Sequence, residues 1–248
     1  MKNYLFFIEI SLIMLLTTGT LAILKDNYKQ NQGCLTFTLD DGLASQYITA
    51  YPLLKENNFS ATFFIIANIT KDLDDLNRSF MNKAQVKELI ENNFEIGSHT
   101  LTHSSLTELN EEQVEREIKL SKELLENLYN IKINSFAFPY THYNKRILTI
   151  AEKYYKNIRI AKNEKQYLLM DIFALKRENN IKLACDEINK AKKEGTWLIF
   201  ILHDIIENPK LWDTSISDFK DVLKCAKESQ IKVDSFSECK INYPKEFN

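Results

Sequence analysis

The sequence lacks an excess of charge of either sign. Its 248 residues carry 32 Lys and Arg against 34 Asp and Glu, so the formal net charge at pH 7 is only -2. A chain with so little net charge has no overall field that would recruit nucleic acid or coat an anionic membrane. We therefore expect no nucleic-acid partner. No internal repeat is visible, and a chain of this length with 44% hydrophobic residues is long enough for one sizeable core.

Cysteine is also scarce, and the four cysteines show no C-x-x-C spacing. A zinc knuckle is therefore not indicated. In an exported chain Cys34, Cys185, Cys225 and Cys239 could form one or two disulfides. Free buried thiols are an equal alternative, and sequence alone does not give a pairing.

One long apolar run stands near the amino terminus, from residue 4 to residue 24. Its length is close to the roughly 20 residues that a bilayer crossing needs. Thr20 and Ala22 offer a signal-peptidase site, whereas Glu9 is a costly charge inside a membrane helix. A buried core helix is the alternative, but no polar stripe of helical period interrupts the run. Export therefore explains the run better than burial does.

We accordingly expect residues 1–24 to be a signal peptide or a membrane anchor and residues 25–33 to be a polar linker. Residues 34–248 then form the folded domain. The expected location is outside the cytoplasm, as a periplasmic, cell-surface or secreted protein. If the apolar segment is not cleaved, the membrane is a further partner of the chain.

Strand and helix patterns alternate through the predicted domain. Short runs rich in β-forming residues are continuous in apolarity, which suits strands covered on both faces. Helical patterns separate them, and the clearest has Val114, Ile118, Leu125 and Leu128 on one face. The predicted strands are 34–39, 60–67, 94–98, 133–138 and 196–203. The predicted helices are 108–129, 182–193, 215–229 and one that begins near Asn82, a plausible N-cap.

This alternation predicts an α/β fold with a parallel sheet and crossover helices. The sheet would form a distorted (β/α) barrel, complete or incomplete, with the functional residues at the carboxyl ends of the strands. Several residues that could form a functional site stand at the ends of predicted strands: Asp40, Asp41, His99, Pro139, Tyr140 and His203.

Two carboxylates stand side by side in Asp40-Asp41-Gly42 at the end of the first predicted strand. Consecutive side chains of an extended chain point in different directions, so the two carboxylates can have different roles. One can bind a metal while the other remains available as a base. An ordinary Asp-Asp-Gly turn is the alternative, and this motif alone does not decide between them.

Two histidines, His99 and His103, are separated by four positions. On a helical turn this spacing brings both imidazoles to one face, at a distance that suits one metal ion. Two histidines and one carboxylate, Asp41, would leave open positions on Zn²⁺ or a similar ion, which is typical of a catalytic site. We therefore expect a divalent metal as cofactor, with zinc favoured and Co²⁺ or another dication as alternatives.

These motifs resemble the first two signatures of the NodB-like polysaccharide deacetylases, carbohydrate esterase family 4. In that family the first Asp of the pair is the general base and the second is a metal ligand. The resemblance therefore implies that Asp40 is the base and that Asp41, His99 and His103 hold the metal.

Two further signatures are matched in the same order along the chain. Phe136-Ala137-Phe138-Pro139-Tyr140 is similar to the Phe-Ala-Tyr-Pro-Tyr version found in one subtype of the family. The resemblance implies that Pro139 and Tyr140 line the substrate site and that the backbone N–H of Tyr140 binds the oxyanion. The last signature, a hydrophobic residue followed by His after a strand, is matched by Ile201-Leu202-His203-Asp204. This match implies that Leu202 contacts the acetyl methyl group and that His203 is the general acid.

The chain departs from the family pattern at two points. Many members carry Arg where this chain has Ala137, so the positive partner of the base must come from elsewhere. Arg177 resembles the downstream Arg of the Phe-Ala-Tyr-Pro-Tyr subtype, and we expect it in that role. The Asp-rich signature that tunes the acid histidine is not recognisable, and Asp171 is a weak substitute for it.

The resemblance implies a metal-dependent hydrolase that removes N-acetyl groups from an amino-sugar polysaccharide of the cell envelope or extracellular matrix. Water would attack the acetamide carbonyl with Asp40 as base and His203 as acid. An esterase or amidase acting on another acylated substrate is one alternative. A non-catalytic glycan-binding domain is another, because a fold alone does not assign a function.

Overall fold

The computed structural model describes residues 33–68, 79–160, 167–171, 180–210 and 212–241. Side chains are described for these residues except 167–171, 180 and 241. The predicted signal or anchor segment, most of the predicted linker and Arg177 lie outside this part of the chain. Within the described residues, no helix is long and apolar enough to cross a membrane.

The centre of the domain is one parallel sheet whose strands run in the order β5-β4-β3-β2-β1-β7-β6. A short strand, β10, pairs with the start of β1, whereas β2 pairs with the end of β1. The strands are β1 Cys34–Leu39, β2 Thr62–Ile65, β3 Glu95–Ser98, β4 Ser135–Ala137, β5 Asn157–Arg159, β6 Tyr167–Asp171, β7 Trp197–Leu202 and β10 Lys232–Val233. Two further strands, β8 Ile205–Ile206 and β9 Thr214–Ser215, pair only with each other.

Helices connect the strands, as the alternation predicts. They are α1 Tyr51–Glu56, α2 Lys83–Glu91, α3 Glu111–Tyr129, α4 Lys145–Glu152, α5 Asn180–Glu194, α6 Ile216–Ser229 and α7 Phe236–Ile241. A π-helical segment, Gln46–Ala50, precedes α1 directly. Asn82 caps α2 through a capping box with Gln85, which confirms the predicted start of that helix.

The predicted α/β fold with a parallel sheet is confirmed, and the sheet curls into a half-barrel. Every residue of β1 and of β7 is buried, because helices cover both faces of these central strands. Helix α3 buries Val114, Ile118 and Leu125 against the sheet. The prediction that Leu128 shares this buried face is wrong, since Leu128 in the last turn of α3 is 36% exposed.

Two disulfides join the four cysteines that sequence alone could not pair. Cys34 at the start of β1 is bonded to Cys239 in α7, and Cys185 in α5 is bonded to Cys225 in α6. The first bond links residues 205 positions apart and therefore joins the two ends of the described domain.

Candidate active site

Polar residues converge at the carboxyl edge of the sheet because all its strands are parallel. Asp40 and Asp41 follow β1, His99 follows β3 and His203 follows β7. The backbone N–H of Asp40 donates to the carbonyl of Leu202 at 2.9 Å, which places the ends of β1 and β7 side by side. Residues from distant parts of the sequence therefore meet in one place.

Asp41, His99 and His103 form a group that could hold a metal ion, and their ligand atoms all lie within 4.8 Å of one another. Asp41 Oδ1 lies 3.5 Å from His99 Nε2 and 3.3 Å from His103 Nε2. Ligands placed tetrahedrally at the usual 2.0–2.1 Å from Zn²⁺ would lie about 3.3–3.4 Å apart. The donor set and its spacing therefore fit a divalent metal with open positions.

His99 is held in the orientation that a metal ligand needs. Its Nδ1 lies 2.8 Å from the carbonyl oxygen of Ala137, which can only accept a hydrogen bond. Nδ1 must therefore carry the proton, so Nε2 keeps its lone pair towards Asp41. Burial lowers the pKa of His99 to about 4, against the opposing effect of Asp40, and the imidazole is neutral at pH 7.

The segment between the two histidines is not the helical turn that we expected from their spacing. Thr100 and His103 have left-handed backbones, with φ values of 67° and 63°. The hydroxyl oxygen of Thr100 accepts a hydrogen bond from the backbone N–H of His103 at 3.0 Å. This irregular turn brings the two rings to a centroid distance of 5.0 Å, which achieves the juxtaposition that a helix would have given.

Asp40 is buried and pairs with Arg159 at the end of β5. Nη1 of Arg159 donates to Oδ1 of Asp40 at 2.7 Å, and Nη2 donates to Oδ2. Burial raises the pKa of Asp40, but the Arg159 guanidinium, with help from His99, outweighs burial and holds that pKa below its usual range. Asp40 is therefore ionised at neutral pH.

Arg159 is a residue that the sequence analysis missed. The role of partner to the base was assigned to Arg177, which lies outside the described residues, so that assignment stays a prediction. The only local signal for Arg159 in the sequence was a charged residue between two apolar ones, Ile158 and Ile160. Such a residue needs a buried partner, but the sequence does not say which.

Tyr140 stands in a short 3-10 turn, Pro139–Thr141, one residue after the end of β4. Its φ of 57° lies in the left-handed region, which is unusual for an aromatic residue. Among the described residues, Thr141 and His142 donate to Phe138 and Pro139, whereas no backbone carbonyl accepts from Tyr140. The Tyr140 ring lies 4.8 Å from that of His103, so this turn borders the metal ligands.

Residues 27–157, which are more than half of the chain, match the family model described as polysaccharide deacetylase. The chain belongs to the polysaccharide deacetylase family. The matched range contains the aspartate pair, both histidines and the Pro139-Tyr140 turn. The curled α/β half-barrel is the fold of this family.

One relative in this family is similar to about half of this chain. YxkH of Bacillus subtilis (strain 168), whose name assigns it to the polysaccharide deacetylases, is 31% identical over 131 residues, which are 53% of this chain and 45% of YxkH. The chain therefore matches less than half the length of that relative.

Two solved structures of the family have the same fold. The peptidoglycan deacetylase PdaC from Bacillus subtilis has a TM-score of 0.62 at 17% identity, covering 86% of this chain and 93% of PdaC. BA3943 from Bacillus anthracis, a pseudoenzyme of carbohydrate esterase family 4, has a TM-score of 0.61 at 18% identity, covering 84% and 66%. The fold thus occurs in a deacetylase and in a pseudoenzyme, so it does not decide activity.

The remaining predicted deacetylase residues lie at the same edge. Leu202 is the last residue of β7 and is 1% exposed within the main core. His203 follows it, and its buried Nδ1 has no hydrogen-bond partner among the described residues. Asp171 ends β6 in register with Ile201, two positions before His203, and its side chain is not described.

Gln46 is a second residue that the sequence analysis missed. It is fully buried at the start of the π-helical segment, and its Nε2 donates to the carbonyl oxygens of Asp40 and His203, the latter at 3.3 Å. One amide thus links the backbone of the predicted base to that of the predicted acid. No motif marks this residue, because an isolated Gln is common in surface helices.

Proposed function

We propose that this protein is a metal-dependent hydrolase that removes N-acetyl groups from an amino-sugar polysaccharide outside the cytoplasm. The observation that carries the proposal is the juxtaposition of two groups of side chains. Asp41, His99 and His103 could bind a metal, and the buried Asp40–Arg159 ion pair lies beside them, with His99 Nε2 3.9 Å from Asp40 Oδ2.

The three ligands would hold a divalent cation, for which we favour zinc. When bound, such an ion lowers the pKa of a water molecule from about 15.7 towards 7 and polarises a carbonyl group. Two neutral imidazoles and one carboxylate are the donors of many hydrolytic zinc sites. Ala137 supports the site by accepting the Nδ1 proton of His99.

The protein's own residues can supply the proton transfers of amide hydrolysis. Asp40 accepts a proton from the attacking water, whose oxygen forms a bond to the carbonyl carbon. The N–H of Tyr140 donates to the oxyanion, a contribution that typically lowers the barrier by about 2.7–4 kcal/mol. His203 gives a proton to the amide nitrogen as the C–N bond breaks, which yields acetate and a free amine.

The substrate class is inferred from the relatives. PdaC is named as a peptidoglycan deacetylase, and an acetylated amino-sugar polymer of the cell envelope is the corresponding substrate for this chain. We also assign the chain to the Phe-Ala-Tyr-Pro-Tyr subtype because of the segment 136–140. Export is supported by the apolar run at residues 4–24 and by the two disulfides, since disulfides form and persist in oxidising compartments.

A non-catalytic glycan-binding role is the second candidate, favoured by the likeness to the pseudoenzyme BA3943. The test is acetate release from a panel of acetylated glycans by purified protein, with and without added Zn²⁺ or Co²⁺. We expect release from at least one N-acetylated polymer, and release about 10²–10⁴-fold slower from the Asp40→Asn variant. Binding of a glycan without any acetate release would favour the second candidate. Release only from O-acetylated polymers would favour an esterase.

A further inference from the structure

A buried carboxylate, Glu117, lies on α3 behind the candidate metal site. Glu117 is 8% exposed, whereas none of the other acidic residues of this helix is buried. Its Oε2 accepts hydrogen bonds from the backbone N–H groups of Leu101 at 3.1 Å and of Thr102 at 2.9 Å. Its Oε1 accepts a third from the hydroxyl of Thr102 at 2.7 Å. All three donors lie between the metal ligands His99 and His103.

Burying a carboxylate costs free energy unless hydrogen-bond donors replace the water that it loses. Among the described residues, no Lys, Arg or His lies within ion-pair distance of Glu117, so hydrogen bonds compensate the charge instead. A charged acceptor forms stronger hydrogen bonds than a neutral one. Two adjacent backbone N–H groups and one hydroxyl pointing at a single carboxylate therefore fix the backbone of Leu101 and Thr102 firmly.

The segment from His99 to His103 needs such support. It is neither helix nor strand, and two of its non-glycine residues have left-handed backbones, an unfavourable conformation that persists only when the surroundings impose it. On one side the carbonyl oxygens of Thr100 and Leu101 accept hydrogen bonds from Ala67 and Asn68 after β2. On the other side Glu117 binds the N–H groups.

We infer that Glu117 is a positioning residue for the metal site. It holds the turn between the two histidines so that both Nε2 atoms face Asp41 Oδ1, at 3.5 and 3.3 Å. The inference rests on the proposed function, since it assumes that the three residues bind a metal. Glu117 itself contributes no ligand, because its carboxylate is occupied by Leu101 and Thr102. Partners of this kind around metal ligands typically change metal affinity by 10–100-fold when they are removed.

The test compares three variants by titration with Co²⁺, whose binding is followed by its visible absorption, so that no catalytic activity is needed. Glu117→Ala removes all three hydrogen bonds, and we expect its Kd for Co²⁺ to rise about 10–100-fold. Glu117→Gln keeps an acceptor for the two N–H groups and a donor for the Thr102 hydroxyl, and we expect its affinity to stay within about threefold of the original, as a conservative rescue. Glu123→Ala, on the same helix and 51% exposed, is the matched control and should not change affinity.

Thr102→Val provides an independent measurement if Glu117→Ala does not fold. It removes only the hydroxyl contact, and we expect a rise in Kd that is smaller than that of Glu117→Ala but larger than that of the Glu123→Ala control. A folded Glu117→Ala protein that binds Co²⁺ as tightly as the original would overturn the inference. So would a Glu117→Gln protein that loses as much affinity as Glu117→Ala, because hydrogen bonding would then not be the cause. Absence of Co²⁺ binding by the original protein would instead overturn the proposed function, and with it this inference.

Discussion

Arg159 contacts both carboxylate oxygens of Asp40 across 119 positions of sequence. Both residues are buried, at 3% exposure each. The same guanidinium donates to the hydroxyl of Thr38 at 2.7 Å and lies over the ring of Phe64. Arg159 is thus enclosed on several sides, and its position fixes the orientation of the predicted base before any substrate binds.

Replacement of Arg159 should change the pH dependence of the reaction. In Arg159→Met the guanidinium no longer lowers the pKa of Asp40, whereas burial still raises it. The acid limb of kcat/KM against pH should therefore move to higher pH, because Asp40 must be ionised to accept a proton. Arg146→Gln serves as the control and should leave the limb in place, because this exposed arginine donates to the Leu109 carbonyl at 3.3 Å and, among the described residues, does not contact Asp40. An unmoved limb in Arg159→Met would argue against Asp40 as the base.

The same replacement should also reduce stability. Breaking a buried ion pair from one side typically costs about 3–5 kcal/mol, because the remaining charge is left without compensation. The pKa of Asp40 is lower in the folded protein than the value of about 3.9 in an unfolded chain. Asp40 therefore stabilises the fold above about pH 4, and this contribution is lost as the pH falls through the folded pKa. Urea unfolding at pH 7 measures the loss in Arg159→Met, and unfolding at pH 3 should show a smaller difference between the two proteins.

The adjacent carboxylates should respond differently to the same change. Asp41→Asn removes a charged ligand, so bound metal should fall, and excess metal should partly restore activity. Asp40→Asn should keep its metal and lose about 10²–10⁴-fold in rate, because no group remains to accept the proton. Metal analysis and acetate release on both variants check the prediction. Metal loss in Asp40→Asn, or near-normal turnover by it, would contradict the division of roles.

Removal of the metal should abolish activity without unfolding the domain. The hydrophobic core is formed by apolar residues of the sheet and its helices, and the ends of the described chain are joined by a disulfide. Treatment with a chelator should therefore stop acetate release while circular dichroism stays unchanged, and Zn²⁺ or Co²⁺ should restore the rate. Full turnover by thoroughly metal-free protein would exclude the proposed mechanism.

The two disulfides should contribute unequally to stability. In the chain-entropy model, the bond across 205 positions between Cys34 and Cys239 stabilises by roughly 5 kcal/mol, and the bond across 40 positions between Cys185 and Cys225 by roughly 4 kcal/mol. Replacing each pair by alanines and measuring urea unfolding tests the order. A larger loss for the Cys185–Cys225 pair would show that local packing between α5 and α6 outweighs chain entropy.

The amino-terminal segment provides a test of location. Residues 4–24 are expected to direct export, so cell fractionation should recover the protein outside the cytoplasm with its cysteines oxidised. Deleting residues 1–24 should leave it in the cytoplasm, where thiols are kept reduced. Recovery of the intact chain, amino terminus included, from the cytoplasm would contradict this expectation.

The amino-acid sequence by itself determined the class of the fold and most of the candidate site. Continuous apolar runs separated by amphipathic helices specify a parallel sheet, because only a strand covered on both faces is apolar on both sides. The placement of Asp40, His99 and His203 directly after such runs predicted their convergence, since parallel strands end at one edge. These signals are local, so they can be recognised without knowing which strands are neighbours.

Only the tertiary structure decided which distant residues support that site. Arg159, Glu117 and Gln46 carry no motif, and each acquires its role from a partner elsewhere in the chain: the Asp40 carboxylate, the turn before His103, and the backbones at the ends of β1 and β7. The cysteine pairs were undecided for the same reason. A contact of this kind depends on the order of strands and the packing of helices, and no local pattern of residues encodes that order, so the identity of each buried partner emerges only when the chain has folded.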